Sequence, residues 1–427
     1  MTCPYSEPNC AADVAADAPR CQCGRVLKRC SRCAARNRAF ANFCRNCGSP
    51  LAPSRSNWSG YRGGSQRLGL NTAAVGPDCL TEKTDLLLTL GDPCRSLLGY
   101  DGHLVAISTA GAIHVADPLR PKNVSRFQAQ GPITAEPCIR NGVLYLATRG
   151  QLTAYSLAAT TMAPPRVKPL WQLPLNGTPV QALTVTGNRL YVTVASADWR
   201  AVHVIEDLDQ SQPAISGALH GATKVSWVAA HPAGHRAVFL SETEGRGVQL
   251  HVAEQKLTSR PVPLDGLAEH PIAFLGGTVF AIFGDSRRLY RIDAASGSIE
   301  EPLDEDTQLF ALSHDVDDEW DRDGVWINGD GIYFSRSGVR DAFQPHERAM
   351  KGSLLIVRGS AVAVGMEDGR VRIYNMARLP RHEVWHVGGS RNADAITALA
   401  SFDHWIAAGN RVGVVEVRSV RAARAGA

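Results

Sequence analysis

Eight of the eleven cysteines lie within the first 47 residues, where their spacing permits metal chemistry. Four of them form two C-x2-C pairs separated by ten residues: Cys30, Cys33, Cys44 and Cys47. A C-x2-C pair places two thiolates at one tight turn, and two such pairs complete a tetrahedral four-sulfur shell for zinc. We therefore predict a zinc site here. Because thiolates fill all four positions, none remains for a reacting water, and we do not expect a catalytic zinc.

The other four N-terminal cysteines match a second zinc shell in number but have irregular spacing: Cys3, Cys10, Cys21 and Cys23. A second zinc ion and partly free thiols are both open interpretations, as is an exchange of ligands between the two sets. Such a short segment cannot fold by burial alone, so each structural zinc ion would supply about 10 kcal/mol of its folding free energy. We expect one or two structural zinc ions.

The segment around the two regular pairs resembles the bacterial zinc-ribbon family, including its double-ribbon members. The family pattern is C-x2-C-G-x2-N-x5-F-C-x2-C-G-x2-L, and Asn37, Phe43 and Gly48 occupy their positions in it. Ala34 replaces the first glycine of the pattern. The spacing also resembles the Ran-binding-protein type of finger, which its family uses for single-stranded RNA or ubiquitin. Lys28 stands where that family has tryptophan, so the zinc ribbon is the better match.

The same segment is strongly basic. Residues 1–68 carry 11 Lys and Arg against 3 Asp and Glu, whereas the rest of the chain carries 34 against 38. The arginines that we single out as partner-binding candidates are Arg29, Arg32, Arg36, Arg38 and Arg45. A basic surface of this kind favours an anionic partner. An acidic protein face, nucleic acid bound through residues 1–68, and a solvated surface with no specific partner are the three open interpretations.

From about residue 84 the chain changes to short strands at regular intervals. Hairpin units begin near Tyr100, Arg140, Thr186, Ala233, Gly276, Arg322, Arg358 and Phe402. Apolar and polar residues alternate in most of these strands, as half-buried strands require. Small sheets that recur mostly every 40–47 residues indicate a β-propeller, because a closed ring buries the faces that one sheet leaves exposed. We predict an all-β protein with eight blades; seven remain possible because the units near 322–360 are crowded.

Changes of composition divide the chain into four predicted segments: a zinc-ribbon domain at 1–50, a flexible Ser/Gly/Arg-rich linker at 51–83, the propeller at 84–420, and a tail at 421–427. The last hairpin unit ends at its third strand, near Arg418. We expect its fourth strand to come from TDLLLTL at 84–90. This strand would close the ring by pairing the two ends of the domain.

The propeller units resemble the PQQ-type repeat most closely and the WD repeat second. The segment RLYRIDAASGSI, which begins at Arg288, resembles that family's strand and turn. Trp171 and Trp385 stand where the family places tryptophan, just before the next blade. In this family the fold serves both cofactor-dependent periplasmic dehydrogenases and non-catalytic scaffolds. We expect no PQQ here, because we find no export signal and the cysteine-rich segment argues against the dehydrogenase branch.

Two other motifs could hold a metal. HEVWH at His382–His386 matches the zinc-protease pattern H-E-x-x-H, which needs a helix so that both histidines share one face. Pro380 and Gly388 flank it closely, so we interpret it as the outer strand of a blade. The acidic stretch at 315–330 loosely follows a calcium loop from Glu319 onwards. A solvated loop and an interaction patch are its alternatives, and VWIN within it is predicted to be a strand.

The remaining histidines and cysteines are interpreted without a chemical role. The histidines that fall near predicted blade turns, and that we do not assign as ligands, are His103, His114, His203, His235, His251 and His404. Cys79, Cys94 and Cys138 are interpreted as ordinary buried or loop cysteines. The sequence contains no phosphate-binding loop, dinucleotide glycine fingerprint or G-x-S-x-G motif.

These observations favour a non-catalytic intracellular scaffold or adaptor. The propeller would be the platform for protein–protein interaction, and the basic zinc ribbon would be a second contact site. The alternatives are a nucleic-acid-binding protein that uses the Arg-rich ribbon, and an enzyme with a site in the propeller channel. We expect a cytoplasmic and bacterial protein with no membrane partner, since no apolar run approaches the about 18 residues of a membrane helix and no secretion signal is seen.

Overall fold

The structure is a computed structural model, and it describes the chain from the N-terminal hairpin to the last blade with gaps. The described residues are 27–29, 35–38, 70–71, 80–157, 167–230, 236–254, 256–275, 277–285, 287–300, 302, 307–312, 324–328, 331–336, 339–343, 349–357, 361–375, 382–389, 394–402 and 405–420. None of them belongs to a helix with the length and hydropathy needed to span a bilayer.

The described residues form strands that assemble into one N-terminal hairpin and eight larger sheets. The strands that precede the first complete sheet are β1 (Leu27–Arg29), β2 (Arg36–Arg38), β3 (Leu70–Asn71) and β4 (Leu80–Thr89). The eight sheets are the blades of a β-propeller, so the predicted all-β, eight-bladed fold is confirmed.

The first four blades follow in chain order. Blade 1 is β5 (Cys94–Tyr100), β6 (His103–Ser108), β7 (Ala112–Ala116) and β8 (Val124–Gln128). Blade 2 is β9 (Cys138–Arg140), β10 (Val143–Thr148), β11 (Gln151–Ser156) and β12 (Pro169–Pro174). Blade 3 is β13 (Thr178–Thr186), β14 (Arg189–Ala195), β15 (Arg200–Glu206) and β16 (Ala214–Ala222). Blade 4 is β17 (Lys224–Val225), β18 (Ala229–Ala230), β19 (Ala237–Thr243), β20 (Gly247–Ala253) and β21 (Leu257–Val262).

The last four blades complete the ring. Blade 5 is β22 (Ala273–Leu275), β23 (Thr278–Phe283) and β24 (Arg288–Asp293). Blade 6 is β25 (Thr307–Leu312), β26 (Gly324–Asn328), β27 (Gly331–Arg336) and β28 (Val339–Phe343). Blade 7 is β29 (Ala349–Val357), β30 (Ala361–Met366), β31 (Arg370–Asn375) and β32 (His382–His386). Blade 8 is β33 (Ile396–Phe402), β34 (Trp405–Asn410) and β35 (Val414–Val420), followed by β4.

Tight turns start several of these hairpins. Asp101 and Gly102 have φ angles of 49° and 79°, and Asn141 and Gly142 have φ angles of 49° and 77°. Two consecutive residues with positive φ define the type I′ turn, whose twist matches that of antiparallel strands and which favours Asp-Gly and Asn-Gly. The sequence therefore specifies the first hairpins of blades 1 and 2 locally.

The ring closes by pairing its two ends, as expected from the sequence. β4 pairs antiparallel with β35, with Thr89 opposite Val414. β4 begins at Leu80 rather than at residue 84. Within the segment expected to be a linker, Leu70 and Asn71 pair in parallel with the end of β29, the first strand of blade 7.

Apolar packing between neighbouring sheets holds the blades together. One core joins β4, blade 7, blade 8 and blade 1, and it contains Leu86, Trp385 and Phe402. Similar cores join blades 1 and 2, blades 2 and 3, blades 3 and 4, and blades 4 and 5. Because each sheet buries its faces against its two neighbours, no blade is expected to be stable alone.

Candidate functional site

The cysteines predicted to bind zinc lie outside the described residues: Cys3, Cys10, Cys21, Cys23, Cys30, Cys33, Cys44 and Cys47. The described backbone next to them is an antiparallel hairpin in which Lys28 pairs with Asn37. The strands of this hairpin, β1 and β2, flank the first C-x2-C pair in the chain. The zinc sites stay predictions.

Three of the five candidate arginines belong to the described hairpin. Arg29 is the last residue of β1, and Arg36 and Arg38 are the first and last residues of β2. Arg29 pairs with Arg36. Arg32 and Arg45 lie outside the described residues. The hairpin therefore brings the backbones of Arg29 and Arg36 together, and the partner-binding role of the arginines stays a prediction.

HEVWH forms an outer strand and not a helix, as interpreted from its flanking residues. β32 pairs with β31, and its side chains alternate: Val384 is 43% exposed, Trp385 is 1% exposed, and His386 is exposed. In a strand, positions four residues apart are separated by about 13 Å, so this segment lacks the compact helical face that H-E-x-x-H requires.

The acidic segment is described only in part. Gly324–Asn328 forms β26, as predicted for VWIN, and the acidic positions around it lie outside the described residues. Elsewhere, Cys94 and Cys138 are buried thiols, as expected. Among the described residues, no group of three or more His, Cys, Asp or Glu side chains is placed to hold a metal ion.

Three histidines expected near blade turns lie instead inside third strands, and this corrects the sequence interpretation. In six blades, the third strand carries a buried polar residue at one equivalent position, where it pairs with a residue of the second strand of the same blade. These residues are His114, Thr153, His203, His251, Arg372 and Glu416. The similar segments IHVA, VHVI and LHVA, at 113–116, 202–205 and 250–253, mark the three histidine positions in the sequence. All six side chains are buried, so they are placed to contact neighbouring strands and not a ligand from solvent.

His251 shows how one of these groups is satisfied. Its ring stacks on Phe239 with 4.7 Å between centroids, Nε2 lies 2.7 Å from the Ser241 hydroxyl, and Nδ1 lies 2.8 Å from the Ser259 hydroxyl. Burial lowers the pKa of His251 to about 4. Burial also lowers the pKa of His114, together with the charge of Arg126. These imidazoles are therefore neutral at pH 7.

Glu416 fastens the closing strand to the ring. Its Oε1 accepts hydrogen bonds from the Thr84 hydroxyl of β4 at 2.7 Å and from Arg418 Nε at 2.8 Å. Its Oε2 accepts a hydrogen bond from the Gly388 N–H at 2.7 Å, next to blade 7. Burial alone would raise the pKa of Glu416, but these hydrogen bonds and the Arg418 charge hold the pKa below its usual range. Arg418 in turn lies 5.1 Å from the Trp385 ring centre.

Polar side chains on the first strands, or just before them, link neighbouring blades near the central channel. Arg95 Nε lies 2.8 Å from Glu136 Oε1, which joins blade 1 to blade 2. Gln181 Nε2 donates to the Val225 carbonyl at 2.6 Å, which joins blade 3 to blade 4. Contacts between first strands also close the ring from blade 8 to blade 1. These polar groups therefore contribute to cohesion of the channel wall.

A groove of about 1020 Å³ lies over blades 3, 4 and 5. It is on the turn face, defined as the face that carries the turns from first to second and from third to fourth strands. Arg189 begins the second strand of blade 3, Lys256 and Arg260 belong to the third turn and fourth strand of blade 4, and Ala294 follows the third strand of blade 5. Three consecutive blades thus contribute to one concave surface.

The cations of the groove differ in how their charge is neutralised. Arg189 Nε lies 2.6 Å from Glu206 Oε1, and Arg236 forms an ion pair with Glu254. Arg260 Nη1 donates to the Ala294 carbonyl at 2.8 Å, which is a neutral acceptor. Lys256 is exposed and forms no ion pair within the part of the chain that the structure describes. These residues were not predictable as a site, because they are far apart in the chain and no motif marks them.

A cavity of about 240 Å³, lined by both apolar and charged side chains, adjoins the groove between blades 3 and 4. Val204 and Leu219 line it from blade 3, and Phe239 and Leu257 line it from blade 4. Leu257 is 44% exposed at its mouth. The turn face therefore combines basic and apolar side chains, which is an arrangement suited to binding a polypeptide.

Comparison with solved structures supports the β-propeller class. BamB from Moraxella catarrhalis is similar with a TM-score of 0.54 and 15% identity over 80% of this chain and 99% of that one. A europium-containing methanol dehydrogenase is similar with a TM-score of 0.58 and 10% identity over 85% and 98%. The quinohemoprotein alcohol dehydrogenase ADHIIG from Pseudomonas putida HK5 is similar with a TM-score of 0.56 and 9% identity over 87% and 81%.

These similarities identify the chain as a β-propeller of the PQQ type in its fold. No protein-family model matches the chain, and no curated protein sequence matches it either. Structural similarity at such low identity concerns the fold alone. The shared fold therefore does not specify the function.

Proposed function

We propose that the protein is a non-catalytic scaffold whose propeller binds partner proteins. The observation that carries the proposal is the groove on the turn face, because turns and strands of three consecutive blades build it and Lys256 and Arg260 supply positive charge. A rigid ring presents such a surface without a conformational cost on binding, which favours its use as a docking platform.

The predicted zinc ribbon would be the second contact site. One or two zinc ions would hold residues 1–50, and the arginines around them would bind an anionic partner surface. Two contact sites on one chain raise the effective concentration of the second binding event and hence the avidity. This division of roles, and a cytoplasmic location, are part of the proposal.

An enzyme is the second candidate function. Two of the structural neighbours are dehydrogenases, whereas BamB is not named as an enzyme, so the shared fold does not decide between the classes. On the scaffold proposal, purified protein supplied with PQQ and an artificial electron acceptor oxidises no alcohol. Turnover that depends on PQQ would instead support the enzyme.

Affinity capture of the full chain tests the scaffold directly. Tagged protein is isolated after nuclease treatment, and the retained proteins are quantified against a tag-only control. The proposal expects specific proteins that survive the nuclease treatment. Loss of all partners on nuclease treatment would favour a nucleic-acid-binding protein, and the absence of any specific partner would contradict the scaffold.

A further inference from the structure

We propose that the groove on the turn face binds an extended acidic segment of a partner protein, with Lys256 and Arg260 as the side chains that contact its carboxylates. This inference rests on the scaffold function proposed above and specifies the chemistry of the partner. It concerns residues of blades 3 to 5, whereas the predicted zinc ribbon involves residues 1–50.

The spacing of the two cations fits an extended ligand. Thr258 and Arg260 alternate along β21, the outer strand of blade 4, and Lys256 immediately precedes this strand; all three line the groove. Residues two apart in a strand are separated by about 6.8 Å, and because Lys256 lies one residue before β21, Lys256 and Arg260 are at most about 14 Å apart along the chain. An extended peptide has the same repeat. Carboxylates at its positions i and i+4 therefore reach both cations at once.

The charges available to a ligand are those of Lys256 and Arg260. Lys256 has no ion pair within the described part of the chain, and Arg260 uses one N–H on the Ala294 carbonyl. Arg260 also lies near Asp293, whose carboxylate accepts hydrogen bonds from the Ser296 N–H at 2.6 Å and the Ser296 hydroxyl at 2.7 Å. An acidic ligand would supply carboxylates that form ion pairs with Lys256 and Arg260.

The remaining lining favours a polypeptide over nucleic acid. Glu254 lines the groove and is paired with Arg236, so the groove offers two separate cations rather than the continuous basic track that a nucleic-acid backbone needs. Val252 and Ala294 add apolar surface. Leu257 at the mouth of the adjoining cavity provides a contact for an apolar side chain. A peptide that mixes acidic and apolar residues matches this combination.

Fluorescence anisotropy with a labelled peptide of Glu-Val repeats tests the inference on the full chain. In an extended peptide of this sequence, all glutamates lie on one side at the spacing of the groove cations. The variants are Lys256→Glu and Arg260→Gln. Lys122→Glu is the matched control, because Lys122 is an exposed lysine in the corresponding turn of blade 1, between β7 and β8.

We expect Lys256→Glu to raise the Kd at least tenfold, Arg260→Gln to raise it several-fold, and Lys122→Glu to leave it within about twofold. A Gln-Val peptide of equal length should bind at least about tenfold more weakly. Unchanged Kd in Lys256→Glu, no binding of the acidic peptide, or tighter binding of single-stranded RNA that displaces it would overturn the inference. Thermal unfolding of each variant checks that the fold is intact.

The two proposals can fail separately. If wild-type protein and Lys256→Glu capture the same partners equally well, the scaffold function stands and the groove is not its binding site. If the wild-type chain captures no partner, the scaffold function itself falls, whatever the peptide does.

Discussion

Replacing Glu416 by alanine tests how the ring is held closed. This carboxylate is 2% exposed and receives hydrogen bonds from the closing strand at Thr84, from Gly388 beside blade 7, and from Arg418 on its own strand. The substitution Glu416→Ala removes one acceptor from each of these three groups. It therefore weakens the attachment of β4 and the contact between blades 7 and 8 together.

The magnitude follows from burial and charge. Removing one member of a buried ion pair costs about 3–5 kcal/mol, because the partner charge remains without compensation. The Arg418 side chain keeps 19% exposure and lies over the Trp385 ring, so water and the ring compensate part of its charge. We therefore expect a loss of about 3 kcal/mol in the free energy of unfolding.

Urea unfolding followed by tryptophan fluorescence measures this loss. Glu300→Ala is the control, because Glu300 pairs with Arg291 at 2.9 Å but its side chain is 63% exposed. An exposed pair of this kind contributes less than about 1 kcal/mol. Limited proteolysis should also cleave Glu416→Ala faster than the control near β4. A loss below about 1 kcal/mol, or one equal to that of Glu300→Ala, would refute the assignment of Glu416 as the ring fastener.

Three other predictions concern pH, packing and metal. The pKa of His251 is about 4 in the folded protein and about 6.5 in the unfolded chain, so the unfolded chain binds the extra proton first as the pH falls. The free energy of unfolding should therefore fall by about 3 kcal/mol between pH 6.5 and pH 4. Urea titrations at several pH values should show a flatter slope for His251→Gln. Gly99→Ala places a Cβ against the Phe402 side chain and should cost about 1–3 kcal/mol, measured by thermal unfolding; an unchanged melting temperature would contradict it. Elemental mass spectrometry should find one or two zinc ions per chain, and Cys30→Ser with Cys33→Ser should remove one.

Local patterns made much of the propeller predictable. The hairpin units, the alternation within strands and the Asp-Gly turn at Asp101 each depend on neighbouring residues, so one sequence suffices to read them. The closing strand was predictable because the last unit lacked a fourth strand and residues 84–90 were left over. Trp171, placed just before the next blade by the repeat pattern, is buried at 6% exposure, and its Nε1 donates to the Leu208 carbonyl of that blade, blade 3.

The groove and the interblade polar groups were not predictable in the same way. The groove depends on which turns of blades 3, 4 and 5 meet, and Arg189 and Arg260 are 71 positions apart in the chain. The role of Glu416 depends on its meeting Thr84, 332 residues away. Such contacts follow from blade rotation and ring closure, which periodicity alone does not encode.

The most direct test of the scaffold account is competition during affinity capture. Nuclease-treated lysate is passed over immobilised full chain with the Glu-Val peptide, with the Gln-Val peptide, or without peptide, and the retained proteins are quantified by mass spectrometry. The account predicts specific protein partners that the acidic peptide displaces and the neutral peptide does not. Retention of no specific protein, or partners that both peptides leave in place, would contradict a propeller that binds acidic partners through its turn face.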